Sequence, residues 1–337
     1  MGQPFSSFAT GGTSVLTSLT LPNRDHHSHS SIATSHTADL SADAFYQTHQ
    51  QIPPPKIRHD SLHNLLSNDG RPTGLGTSPQ HIPIHDNNYN ILLIGDVHGC
   101  LSELQTLVST ALETNQQKPF QAILLVGDLV NKGPDSISVI QFVRKQRGWF
   151  AVRGNHDHGA LLAALGDLVQ GSKAKYAWVK RRNKGEGGEE DEEMVLEDED
   201  VQWLADLPYT IRIPERMAGM ETIVVHAGLV PGVSLEQQRS ADMMVMRNVQ
   251  YHSETQSYRT LEVVEDDKDR TSLPWGEVWS GPEHVIFGHD AKRGLQEHEY
   301  ATGLDTGVCY GKHLTGIILP SRTLVRVDAE AVHCPID

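Results

Sequence analysis

Only three cysteines occur in the 337 residues, Cys100, Cys309 and Cys334, too few and too far apart for a disulfide framework. They read as reduced thiols of a cytosol-like compartment, and Cys100 as a small buried hydrophobe, not a nucleophile. Long apolar runs are also missing, so no transmembrane segment is expected, and no basic-then-apolar signal opens the chain. Basic residues are outnumbered, 28 Lys and Arg against 43 Asp and Glu, for a formal charge of −15. Ten of those acids lie within residues 186–200, after a basic knot at 180–184; taking them from −15 leaves −5. The acidity therefore belongs mostly to one insertion, expected to be a disordered loop over 183–200.

Hydrophobic periodicity is lacking over residues 1–88, which are rich in Ser, Thr, Gly, Pro, Gln and His and carry Pro53-Pro-Pro55. A disordered low-complexity tail is expected there. It opens with Met1-Gly-Gln-Pro-Phe-Ser6, which fits the N-myristoylation pattern with Gly2 as acceptor. One acyl chain without a polybasic run or a nearby Cys gives only weak, reversible membrane contact. The expected location is cytoplasmic, and peripheral at membranes if Gly2 is acylated. A transit peptide is the competing account, weakened by Arg24 being the sole base in the first 24 residues.

What the chain does contain is one design used five times: a short apolar strand that ends on a metal-ligating side chain. Residues 91–94 lead through Gly95 to Asp96 and His98, and residues 122–126 through Gly127 to Asp128. Residues 149–152 lead to Gly154 and Asn155, residues 222–225 to His226, and residues 284–287 through Gly288 to His289. Runs of this kind read as strands buried on both faces, and an open α/β sheet places its ligand site at such strand ends. Three imidazoles, two carboxylates and one amide oxygen suit Mn, Fe, Zn or Co better than a thiolate site does. They divide between two ions: Asp96 and His98 on the first, Asn155, His226 and His289 on the second, and Asp128 bridging. Ions about 3.5–4 Å apart can share a hydroxide and hold a phosphoryl group between them.

At this point the residues resemble the calcineurin-like metallophosphoesterases. Gly95-Asp-Val-His-Gly99, Gly127-Asp128, Gly154-Asn-His-Asp157, His226-Ala-Gly and Gly288-His289 look like that superfamily's motif blocks, in order. Within it, Val130-Asn-Lys-Gly-Pro-Asp-Ser136, Gly288-His-Asp-Ala-Lys-Arg-Gly294 and Gly303-Leu-Asp-Thr-Gly307 are similar to the ApaH-like phosphatases, relatives of bacterial diadenosine tetraphosphatase. The likeness covers about residues 89–328.

The fold class expected from the strands, and implied by the resemblance, is α/β: a four-layered αββα sandwich of two mixed sheets flanked by helices. The catalytic domain is set at 89–330, with a C-terminal tail at 331–337. Helices are expected over 135–146 and 159–169 and up to Pro208. The second sheet is expected to use residues 211–213, 223–225, 285–287, 314–319 and 324–327.

Two divalent cations (Mn, Zn, Fe, Co or Mg) are the expected cofactors, and their activated hydroxide would attack phosphorus in line. Candidate phosphate-binding cations are Lys132, Arg153, Arg247, Lys292 and Arg293; the resemblance assigns that role to Lys132 and Arg247, while Arg153 could equally brace its loop. By the same resemblance His156 protonates the leaving oxygen. The superfamily's protein phosphatases carry an Asp where this chain has Asn131, and an Arg where it has Lys132. A neutral Asn131 cannot hold an imidazolium by charge, and a weakened acid penalises alkoxide departure more than phosphate departure. Phosphoanhydrides are therefore the expected substrates: dinucleoside polyphosphates, inorganic polyphosphate or the 5′ cap of RNA. The alternatives are a Ser/Thr protein phosphatase and a metal-free scaffold on the same fold.

Overall fold

The computed structural model describes residues 59–67, 89–168, 173–180, 195–261 and 271–335. The Gly2 site, the other residues of 1–58, residues 68–88 of the N-terminal tail and residues 183–194 of the acidic insertion lie outside these.

Two sheets form the centre. The first has five strands in the order β14 (Thr323–Asp328), β13 (His313–Leu319), β2 (Ile91–Ile94), β3 (Ala122–Leu125) and β4 (Trp149–Ala151). The second has six: β1 (His59–Ser61), β5 (Thr210–Ile213), β6 (Thr222–Val225), β10 (His284–Phe287), β12 (Ala301–Gly303) and β11 (Gln296–Glu297). A side sheet, β8 (Ser257–Thr260), β7 (Asn248–His252) and β9 (Leu273–Pro274), had no counterpart in the sequence reading.

Alternation along each strand builds the layers. Ile91 and Leu93 of β2, Leu124 of β3, Ile211 and Ile213 of β5, Val224 of β6 and Ile286 of β10 share one core between the sheets. The intervening Leu92, Ile94, Ile123 and Leu125 face outward. They pack with residues of α2 (Leu101–Thr114), α3 (Ser136–Lys145), α4 (Asn155–Leu165) and α5 (Asp198–Ala205). On the opposite outer face, Ile223, Val225, Val285 and Phe287 pack with Met243 and Met244 of α6 (Ser240–Val245) and Trp275 of α7 (Trp275–Val278). Each central strand is thus buried on both sides, which explains why its sequence is an unbroken apolar run. The expected αββα sandwich is the fold. No helix among the described residues is long and apolar enough to cross a membrane.

Several expectations need correction. Strands β13 and β14 extend the first sheet, not the second: β13 pairs antiparallel with β2, Leu319 opposite Ile91, and β12 takes the place beside β10. Periodicity identifies a strand but not its neighbour. The tail boundary at 88 also fails, because β1 adds to the β5 edge and α1 (Leu62–Ser67) follows it, with Leu62 fully buried. Within the acidic insertion, residues 195–200 are built into the fold. Leu196 is buried, its N–H donates to the Lys180 carbonyl at 2.9 Å, and buried Asp200 accepts from Arg144 Nε at 2.8 Å. The helix expected from Gly159 begins at Asn155, since Asp157 caps its first turn by accepting from Gly154 N at 2.9 Å. At the chain end, His333 N and Cys334 N donate to the Cys309 carbonyl at 3.0 and 3.2 Å, so residues 331–335 dock on the domain instead of forming a free tail.

Candidate metal centre

Topology brings the five strand ends together. β2, β3 and β4 run parallel in one sheet and β6 and β10 run parallel in the other, so their C-terminal ends meet at one rim. Loop hydrogen bonds fix the arrangement: His98 N donates to Asp128 O at 2.8 Å, and Gly288 N to His226 O at 2.7 Å. A Cβ at Gly154 would overlap Asp128 Oδ1, and one at Gly288 would overlap Asp96 Oδ1; both glycines make room for a carboxylate. His98, Asp128, Asn131, Lys132 and His289 all have positive φ, between 47° and 72°. Such backbone costs of order 1 kcal/mol or more per residue and is held by the surrounding packing.

Each imidazole is aimed by a backbone carbonyl. His98 Nδ1 lies 3.0 Å from Val130 O, His226 Nδ1 2.9 Å from Val126 O, and His289 Nε2 3.1 Å from Val245 O. A carbonyl only accepts, so each of those nitrogens carries the proton and the other nitrogen of each ring presents a lone pair. The free nitrogens converge. His98 Nε2 lies 3.6 Å from Asp128 Oδ2, and His226 Nε2 lies 3.4 Å from Asp128 Oδ1. Asn155 Oδ1 is 3.1 Å from both His226 Nε2 and His289 Nδ1. Two sets of donor atoms within 4.8 Å result, His98 with Asp128 and His156, and Asp128 with His226 and His289, and Asp128 belongs to both. Asp96 enters neither set; both of its oxygens accept from His289 N, at 3.2 and 3.0 Å.

The electrostatics match. Burial, with Asp305 and Asp128 nearby, pushes the Asp96 carboxyl well above its usual range, and burial brings Asp128 up to about 6. Burial holds His98, His156 and His289 well below the usual imidazole range and brings His226 down to about 4. Neutral imidazoles with exposed lone pairs beside crowded buried carboxylates are a donor set that a divalent cation fits.

The five candidate cations separate. Lys132 Nζ is 3.1 Å from His98 Nε2 and donates to Tyr310 Oη at 2.8 Å. Arg247 Nη2 donates to the His289 carbonyl at 3.5 Å. Arg293 is engaged by Asp290 and by Asn248 Oδ1 at 2.7 Å, and Lys292 is exposed. Arg153 is corrected to a brace: 1 % exposed, it donates through Nη2 to Leu204 O at 3.1 Å and Ala205 O at 2.6 Å.

His156 adjoins His98, ring centroids 4.9 Å apart, and its Nδ1 is 2.9 Å from Asn131 Nδ2. The Asn131 amide is oriented by a residue that sequence reasoning missed, Trp178, whose indole N–H reaches Asn131 Oδ1 at 3.3 Å. An indole only donates, so Oδ1 faces Trp178 and the NH₂ faces His156. His156 Nδ1 is then an acceptor, and the ring proton sits on Nε2. Asp157 was missed as well: it accepts from Leu129 N at 2.9 Å besides capping α4, tying the Asp128 and Asn155 loops together. Trp178 carries no sequence signal, standing two residues after Tyr176 and just before a charged insertion; Asp157 could have been found as a helix-capping carboxylate.

Fold and donor geometry define a class, a sandwich hydrolase with a divalent-cation centre at its strand ends. The chain belongs to the calcineurin-like phosphoesterase family, whose model matches residues 89–298. It is similar to the symmetrical bis(5′-nucleosyl)-tetraphosphatase of Nitrosospira multiformis, 27 % identical over 72 % of this chain and 96 % of the relative. It is also similar to the asymmetrical bis(5′-nucleosyl)-tetraphosphatase PrpE of Oceanobacillus iheyensis, 23 % identical over 70 % and 90 %. Among solved structures, one of a proposed diadenosine tetraphosphatase aligns with a TM-score of 0.56 and 29 % identity over 72 % of this chain and 94 % of that one.

Proposed function

We propose that this chain is a binuclear-metal-dependent phosphoanhydride hydrolase acting on dinucleoside polyphosphates. The observation that carries the reading is the sharing of Asp128 between two donor sets in which His98, His226 and His289 are each fixed by a backbone carbonyl. Asp96, His98 and Asp128 would hold one cation, and Asp128, Asn155, His226 and His289 the other. Bound there, the cations supply Lewis acidity and lower the pKa of an attacking water. The remaining work falls to the chain. Lys132 and Arg247 bind and orient the phosphate chain, and His156 offers its Nε2 proton to the departing oxygen. Asn131 and Trp178 hold that ring in its neutral form without a countercharge for an imidazolium. A phosphate leaving group tolerates such an acid better than an alkoxide does. The names of the similar proteins support the same substrate class.

The test is a substrate panel with Mn, Zn, Co and Mg covering dinucleoside tetraphosphate, inorganic polyphosphate, capped RNA and a phosphoserine peptide. Dinucleoside tetraphosphate is expected to turn over fastest, and Asp128→Ala to abolish turnover while lowering bound metal. Faster cleavage of the phosphopeptide would overturn the anhydride assignment in favour of a protein phosphatase. Absence of bound metal after loading would leave only the scaffold reading.

A further inference from the structure

Separated in sequence, Cys100, Glu103 and His333 come together in the fold, and Cys334 packs against the Cys309 carbonyl. We propose that Cys100, Glu103 and His333 form a second, thiolate-containing site for a zinc-type divalent cation, separate from the Asp128 centre.

Three observations carry this. A sulfur of Cys100, a carboxylate oxygen of Glu103 and a ring nitrogen of His333 all lie within 4.8 Å of one another. Metal–ligand bonds of about 2.0–2.3 Å in a tetrahedral site imply ligand separations of roughly 3.3–3.8 Å, so the cluster needs to close by only about 1 Å. Second, the cluster is assembled from two separate segments. Cys100 caps α2 and Glu103 sits in its first turn, three residues on and on the same face. The chain end folds back across that turn: Glu330 N donates to Glu103 Oε1 at 3.0 Å, and Ser102 Oγ bonds Glu330. His333 N and Cys334 N are pinned to the Cys309 carbonyl, which also lies 3.8 Å from Cys334 Sγ. Third, Glu103 is a carboxylate only 3 % exposed, and among the described residues no lysine or arginine pairs with it. A buried carboxylate without a cation, next to a buried thiol and an imidazole, lacks the one partner that this donor chemistry selects.

The proposal is independent of the phosphatase reading and has its own spectroscopic readout. The full chain, purified under a non-thiol reductant and loaded with Co²⁺, should show a thiolate-to-cobalt charge-transfer band. The Asp128 centre offers only nitrogen and oxygen donors and cannot produce one. Cys100→Ser should abolish the band and lower bound metal from about three ions per chain to about two. His333→Ala, a change at a half-buried surface position, should weaken cobalt binding at this site roughly tenfold, and it covers the case in which the Cys100 variant fails to fold. Asp128→Ala should keep the band. No band with at most two ions bound, or a band that survives both Cys100→Ser and His333→Ala, would overturn the proposal.

Discussion

Asn131→Asp is the sharpest perturbation of His156, the proton donor proposed above. The two side chains have the same shape, so one carboxylate oxygen can keep the 3.3 Å contact with the Trp178 indole while the other faces His156 Nδ1 across 2.9 Å. In the wild-type arrangement the amide donates to Nδ1, and the ring is neutral. A carboxylate accepts there, drawing a proton onto Nδ1 and supporting an imidazolium whose Nε2–H is the better acid. A hydrogen bond to a charged group is worth about 1–1.5 kcal/mol more than a neutral one, close to tenfold in rate. We expect kcat/KM for a phosphoserine peptide to rise about tenfold while dinucleoside tetraphosphate cleavage changes by less than roughly threefold. Steady-state kinetics on both substrates at matched metal loading reads the ratio. Trp178→Phe releases the amide to rotate and should move the ratio in the same direction by a smaller factor. Equal changes for both substrates in Asn131→Asp would refute the reasoning, because the leaving group would then not sense the His156 partner.

Arg153→Ala should cost about 2–4 kcal/mol of stability by stripping the Leu204 and Ala205 carbonyls of their donor, with KM unchanged within about twofold; urea melts and kinetics separate the two effects. Burial and the Arg322 guanidinium hold His284 down to about 4, against about 6.5 when unfolded. The folded state therefore binds fewer protons between these values. That stability is complete above about pH 6.5 and is lost on acidification, by up to about 1.4 kcal/mol per unit, levelling below about pH 4. His284→Gln should flatten the urea midpoint over that window relative to wild type. A chain begun at Tyr89 loses buried Leu62 and Leu66 and bares the β5 edge, so it should lose several kcal/mol, about 2–5 per large buried side chain, and aggregate where a chain begun at Lys56 does not.

The central strands were legible because burial on both faces leaves an apolar run, and Gly followed by a polar residue marked four of the five strand ends. The layer order followed from that burial. The sheet of residues 313–328 was not legible, since strand pairing depends on which edge is open after the rest has folded. His59–Ser67 was missed because a three-residue strand and a six-residue helix are too short to show a period. Arg153 read as either a phosphate ligand or a brace of its loop because it precedes Gly154-Asn155. Its guanidinium turns to the end of α5, a contact across 51 residues that no local pattern encodes. Trp178 acts through the direction of one N–H, which only coordinates reveal.

The Asp128 donor sets draw on both sheets, from β2, β3 and β4 on one side and from β6 and β10 on the other. An ion gripped between them is a rivet through the sandwich. Prising the layers apart and letting go of the ion become a single event, so the unfolding midpoint should climb with free cation concentration. Chelation would then loosen the whole body of the protein as well as silence it.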